Sequence, residues 1–392
     1  MPAFFWSIVL GLALASAQLS ASAVTALQPS RDDEVIEVLP VVTRSRPAPV
    51  ASASGLAPAA AAVQARQAIA VARQTGDTRY WGRAQAVLAP WWGKPDAPAE
   101  LAILQATVQQ GRHEFEASRK VLTATLARAP GNAQGWLNLA ALERLSARYA
   151  EALLACDAVA RAGQALYAAA CRLETQSLQG QYESAAQGLQ ALIDRSPDRG
   201  QRSWLLSLLA ESLERRGRDS AAAQAYASSL ALDPDLYTTI AYSDLLLRSG
   251  KSSQALQALA VLPETDAVLL RCAAAWRRLG DARWIGAREQ LREREAELQR
   301  RGDDPALHGR ELALTALWLD DDAPRALELA RRNLLLQREP LDWWVAVQSA
   351  QQAKNAKAQA EIAHALRAAG LHDSRLAAAL PNPSSPTVKG AK

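Results

Sequence analysis

The sequence predicts an all-α fold: a right-handed superhelical solenoid of about nine antiparallel helical hairpins. Three observations carry that prediction. Apolar residues make up 49% of the 392 residues while aromatics are only 5%, and much of the apolar content is Ala and Leu, the best intrinsic helix formers. Runs of β-branched residues with period two are absent beyond the N-terminal region, so the usual strand signal is missing. One turn signature also recurs every 33 to 37 residues, a period that marks a repeat architecture.

Taken in order, residues 1–23 read as a signal peptide. Phe4 to Ala17 is an apolar run of signal-peptide length, too short for a spanning helix. Ala15-Ser16-Ala17 and Ala21-Ser22-Ala23 each offer a small-residue cleavage site. No Lys or Arg precedes the run, so an uncleaved anchor is the alternative, and no Cys follows it to accept a lipid. Residues 24–60 read as an Ala/Ser/Pro-rich linker. Within it Asp32 to Leu39 alternates acidic and apolar residues, a pattern for a strap along the first hairpin or for a docking strand. Residues 61–380 carry the solenoid, and 381–392 read as a disordered tail. The expected location is periplasmic or secreted, with no membrane span once the signal is removed.

Within the solenoid a small residue is followed five positions later by Ala: Ala147 and Ala152, Gly180 and Ala185, Gly217 and Ala222, Gly250 and Ala255. Glycine at the turn accepts a positive φ. The Ala belongs where the two helices of a hairpin approach most closely. Pro197 and Pro234 stop the second helices, because proline cannot continue one. Flanking hairpins are weaker. Val63–Pro95 and Glu100–Pro130 precede the clear units, with the turn of the latter placed just after Gly111. Pro263 cuts the sixth short, and Ala267–Gly302, Ala306–Gln337 and Leu341–Ala369 complete the stack. Degenerate end units suit repeats that cap the core.

Trp136, Leu139 and Ala140, then Ala147, Tyr149 and Ala152, resemble the tetratricopeptide (TPR) consensus. Gly180-Gln181-Tyr182-Glu183-Ser184-Ala185 matches that family's turn sequence. The resemblance spans roughly residues 61 to 375. The Asp32–Leu39 segment, Trp81 with Pro90-Trp91-Trp92, and Arg338-Glu339-Pro340 further resemble exported proteobacterial TPR proteins, a resemblance that implies export and a scaffold but no reaction. In this superfamily the first helix of each hairpin lines a concave groove. Carrying its ligand-contacting positions onto this sequence selects Arg144, Tyr167, Glu174, Trp204, Glu211, Glu214, Tyr237 and Asp244. Glu174, Glu211 and Asp244 fall at one equivalent position in three successive units, an acidic ladder suited to an extended peptide bearing Lys or Arg. A solvated inner face without a ligand is the plainer alternative.

Catalytic chemistry is not legible. His113, His308, His364 and His372 show no metal-ligand spacing, and neither HExxH nor CxxC occurs. Ser249-Gly250-Lys251-Ser252 ends like a phosphate-binding loop, but Leu245 stands where that loop needs Gly. Asp320-Asp321-Asp322 is placed to cap a helix N-terminus. We read no Lys/Arg cluster interleaved with aromatics, and a net charge of +4 is mild, so no nucleic-acid partner is expected. No metal or cofactor is expected either. Cys156 and Cys171 lie equally far from the Gly163/Gln164 turn on facing helices, which allows a disulfide if both point inward. Reduced thiols at small-residue packing positions are the alternative. Cys272 is left over as a buried free thiol.

The function expected from these readings is a non-enzymatic envelope scaffold that holds a protein or peptide partner in its groove. An accessory factor for secretion or outer-membrane assembly is a related reading. A hydrolase or glycan-processing enzyme on a helical scaffold is the reading from a different class, and facing buried carboxylates in a closed pocket would favour it.

Overall fold

The computed structural model describes residues 56–300 and 305–380. The signal-peptide, acidic-strap and C-terminal-tail readings lie outside these residues. Among the described residues every regular element is helical. The hairpins are α1 (Pro58–Thr75) with α2 (Arg79–Leu88), α3 (Ala99–Gly111) with α4 (Phe115–Arg128), α5 (Ala133–Leu145) with α6 (Tyr149–Arg161), and α7 (Ala165–Leu178) with α8 (Tyr182–Arg195). They continue with α9 (Arg199–Arg215) and α10 (Asp219–Leu232), α11 (Leu236–Arg248) and α12 (Ser252–Leu259), and α13 (Asp266–Leu279) and α14 (Arg283–Arg300). The last pairs are α15 (Gly309–Trp318) with α16 (Ala323–Leu336) and α17 (Pro340–Gln352) with α18 (Ala356–Ala369), followed by a short α19 (Ser374–Ala379). These are the nine expected hairpins. The first starts at Pro58, inside the stretch read as linker, where the ring's fixed φ suits the first helical position.

A single conformation makes the hairpin turns. Each contains one residue at positive φ: Gly76, His113, Ala147, Gly180, Gly217, Gly250, Gly280, Asp321 and Lys354. In most of them the following amide reaches back to a carbonyl five residues earlier, as from Arg148 to Glu143 (2.7 Å) and from Lys251 to Leu246 (2.8 Å), which closes the helix C-terminus. The turn of the second hairpin follows Gly111 as expected, with its positive φ on His113 (61°). Gly111 is the last residue of α3, and a β-carbon there would run into the Trp81 indole. Five positions after the turn, Ala152, Ala185, Ala222, Ala255 and Ala326 are all fully buried, as is Ser118. The second helix therefore starts pressed against the first. Side chains cap the following helices at Asn132, Asp198, Asp235 and Thr265, each just past a helix-ending Pro.

Cys156 and Cys171 are joined in a disulfide, with Cα atoms 5.6 Å apart, across the Gly163 turn. The bond ties α6 of the third hairpin to α7 of the fourth. Cys272 is free but only half-buried, so the expectation of a fully buried thiol is corrected. It sits beside the core face of α13, not on it.

The hairpins coil through more than one superhelical turn, and successive turns touch along an axial seam. On one side are hairpin turns of the first units; on the other are the connections between later hairpins. Gly76 abuts Leu236 and Thr265. The Arg338 amide donates to the Leu145 carbonyl (2.7 Å), and the His372 amide to that of Leu178 (2.8 Å). The Ser374 hydroxyl donates to the Arg215 carbonyl (2.8 Å), and Arg375 pairs with Glu214. These bonds complete helix-terminal carbonyls of α5, α7 and α9 that lack intrahelical donors. The C-terminal hairpins thus lie on the central units and partly roof their inner face.

Candidate functional site

The first helices of the hairpins face inward and surround a cavity of about 1050 Å3. Its wall takes Arg73 from α1, Gln110 from α3, Arg144 from α5, Glu174 from α7, Glu211 from α9, Tyr237 from α11, Arg271 from α13 and Arg310 from α15. The second superhelical turn adds Arg338, Glu339 and Arg375. The predicted groove is therefore a lumen, built partly from residues more than 100 positions away along the chain.

Six of the eight predicted groove residues line it: Arg144, Glu174, Glu211, Glu214, Tyr237 and Asp244. Tyr167 and Trp204 do not. They stack on each other instead, ring centroids 5.5 Å apart, and Tyr167 accepts a hydrogen bond from Gln201 (3.2 Å).

The ladder carboxylates differ in how far the chain itself satisfies them. Asp244 accepts two bonds from the buried Arg271 guanidinium, at 2.8 Å each. Glu174 pairs with Arg144 at 2.8 Å. Glu214 is the most committed, meeting Arg248 (3.0 Å), Arg375 and the Tyr226 hydroxyl (3.0 Å). Glu211 is the least. Its nearest cation, Arg215, stands 3.4 Å away and directs its other N–H groups at Ser177. Tyr237 donates to Glu211 at 2.8 Å.

Electrostatics follow from those contacts. Desolvation pushes the Glu211 carboxyl up to about 7, with Arg215 opposing and the like charges of Glu174 and Glu339 reinforcing. The Glu211 charge, helped by burial, raises the Tyr237 phenol well above its ordinary value, so Tyr237 remains a donor. Burial also raises Asp244, against the pull of Arg271. Tyr237 is 60% exposed as a residue although it lies deep in the molecule; what it is exposed to is the lumen.

Two features escaped the sequence reading. Tyr149, read only as a packing residue of the third turn, lines the cavity while 5% exposed, and its hydroxyl has no hydrogen-bond partner. Glu339 enters the site from the connection before α17, with Arg310 at 2.5 Å; nothing local in sequence could place it there. A third correction lies elsewhere. Arginines do interleave with aromatics on the seventh and eighth hairpins: Arg283 covers Trp276, Arg277 and Arg288 flank Trp284, and Arg278 covers Trp318. Asp281, Asp321 and Glu289 pair with three of these arginines, so the stack is a braced surface with little unpaired charge.

Fold and lumen define the class: an all-α superhelical solenoid of antiparallel helical hairpins whose inner helices line a cavity. No family model and no curated protein matches the chain. Among solved structures it is similar to the APC/C hetero-tetramer Cut9-Hcn1, at 15% identity over 80% of this chain and 74% of that one, TM-score 0.40. It is also similar to the human IFIT1 dimer with PPP-AAAA, at 13% identity over 80% and 73%, TM-score 0.47. The P58(IPK) TPR domain shares 14% identity over 71% of this chain and 93% of that one, TM-score 0.18. These likenesses are remote, and what those proteins bind is not carried over to this one.

Proposed function

We propose that this protein is a non-catalytic scaffold of the periplasm or cell exterior that takes a segment of a protein or peptide partner into its lumen. The observation that carries the reading is the convergence of first helices from nine hairpins on one cavity of about 1050 Å3. Stacked repeats create a long inner surface without needing a reaction centre, and pockets of this size accept ligands or side-chain segments. The apolar run Phe4–Ala17 and the Cys156–Cys171 disulfide support an oxidising, exported location. Service as an accessory in secretion or outer-membrane assembly fits the same geometry.

One observation favours a second reading, an acid/base enzyme such as a glycan hydrolase. Glu211, pushed up to about 7, has the affinity of a general acid working near neutrality, with Glu174 and Glu339 close enough to influence it. Against this, Glu174 and Glu339 are each held by an arginine.

The test is co-purification from envelope extracts with the wild type and with a plugged variant, Tyr237→Arg combined with Ala241→Trp. A partner recovered by the wild type and lost from the plugged variant is expected. Equal recovery by both would place binding outside the lumen.

A further inference from the structure

On the braced Trp/Arg surface three of the four arginines are paired with carboxylates. Cys272 stands alone. The seam is closed by the chain's own groups. The lumen itself holds two groups that the fold leaves incomplete. Glu211 has one distant arginine and one phenol. Tyr149, more than nine-tenths buried in the same lining, has a hydroxyl with no partner at all. Burying a hydroxyl or carboxylate without compensating bonds is unfavourable, so a ligand that completes both is stabilised by what the empty site lacks.

The surroundings decide the sign of that ligand. Facing Glu211 are Arg215 on its own helix, Glu174 with Arg144 from α7 and α5, Tyr237 from α11, and Tyr226 on α10 with its partner Glu214. The second superhelical turn contributes Glu339 with Arg310. The arginines are already engaged by carboxylates or by Ser177, whereas Glu211 retains acceptor capacity. Tyr149 lines the same cavity as Glu211, Arg215 and Glu339.

We propose that the Glu211–Tyr237 corner of the lumen is a binding site for one ammonium or guanidinium group, the side chain of a lysine or arginine on an extended peptide, completed by Glu339 and the Tyr149 hydroxyl. This deepens the function proposed above and rests on it. The cation adds the charge-assisted bond that Glu211 lacks, while the Tyr149 oxygen accepts one of its N–H groups. Bound cation keeps Glu211 ionised, so binding releases protons near neutral pH and strengthens as pH rises through 7. Because Glu339 belongs to the second superhelical turn and Glu211 to the first, the bound side chain spans the seam.

The test titrates the full-length protein with acetylated, amidated pentapeptides, four alanines around a central Lys, Arg, norleucine or Glu, at pH 6 and pH 8. The Lys and Arg peptides should bind on the order of tenfold tighter than the norleucine peptide at pH 8, the worth of one hydrogen bond to a charged group. The preference should shrink at pH 6. Glu211→Gln should remove both the preference and its pH slope, which separates Glu211 from His113, a lining imidazole that burial pushes below its ordinary value. Tyr149→Phe should weaken the Lys peptide more than the norleucine peptide, and Glu328→Gln on the outer surface should change nothing. Should a variant not fold, the wild-type comparison of the Lys, norleucine and Glu peptides still decides whether the lumen prefers a cation. Equal binding of the Lys and norleucine peptides would overturn the cation site and leave the lumen reading standing. Tighter binding of the Glu peptide, or a Lys preference that survives Glu211→Gln, would overturn it too. No binding by any of the four would count against both.

Discussion

Nine residues at positive φ set the nine hairpin turns, yet only five are glycine. Where glycine stands, its reasons differ. Gly250 has open space around a built β-carbon, whereas one on Gly76 would lie 2.7 Å from the Thr265 methyl. That methyl cannot swing aside, because the Thr265 hydroxyl caps α13 by accepting from the Val268 amide. Gly250→Ala should therefore cost about 1–2 kcal/mol, the left-handed penalty alone. Gly76→Ala should cost about 1–3 kcal/mol more through overpacking. Urea unfolding of both variants checks the ordering, and equal losses would mean the seam at Gly76 is loose. The same residues explain what was legible. Gly180, Gly217 and Gly250 announced their turns, while Asp321 and Lys354 hid theirs behind side chains that seldom adopt a positive φ.

At the level of elements, two links carry most of the testable weight. The disulfide between α6 and α7 closes a 15-residue loop and should contribute about 3 kcal/mol in the chain-entropy model. Mass spectrometry of unreduced protein should find the bond, and reduction should lower the unfolding midpoint; two free thiols at Cys156 and Cys171 would contradict it. The second link is Arg271, 1% exposed, which joins α13 to Asp244 on α11 through paired 2.8 Å bonds. Arg271→Ala leaves the half-buried Asp244 carboxylate without its cation and should cost about 1–3 kcal/mol. Asp244 was expected to face inward only through the resemblance to tetratricopeptide repeats, whose groove positions fall on it. Its partner was not legible, since spacing within one helix says nothing about what the next helix presents. The acidic ladder accordingly turns out to be two closed ion pairs and one incomplete carboxylate.

Across the whole molecule, the inner faces were visible in the repeat and their closure into a lumen was not. Superhelical pitch sums small rotations over nine hairpins, and no local pattern encodes which turn will meet which connection. Removing residues 371–392 deletes the contacts of His372, Ser374 and Arg375 with the central units. The radius of gyration from small-angle scattering should then rise, and an unchanged value would mean the seam does not hold the coil closed. Stability should also depend on pH through Glu211. Its folded-state pKa of about 7 lies above the ordinary 4.5, so the native state binds the extra proton between those values. Its contribution is full below pH 4.5 and is lost as pH rises through 7. Wild-type thermal midpoints should therefore fall over that window relative to Glu211→Gln.

Whether the lumen receives a partner is the claim on which the functional reading stands. The most direct measurement places a photo-crosslinking residue at position 237, inside the lumen, or at position 154, where Leu154 is 66% exposed on the outer helix α6, and irradiates living cells. The account predicts a discrete crosslinked product from position 237 and none from position 154. A product from position 154 alone would contradict it.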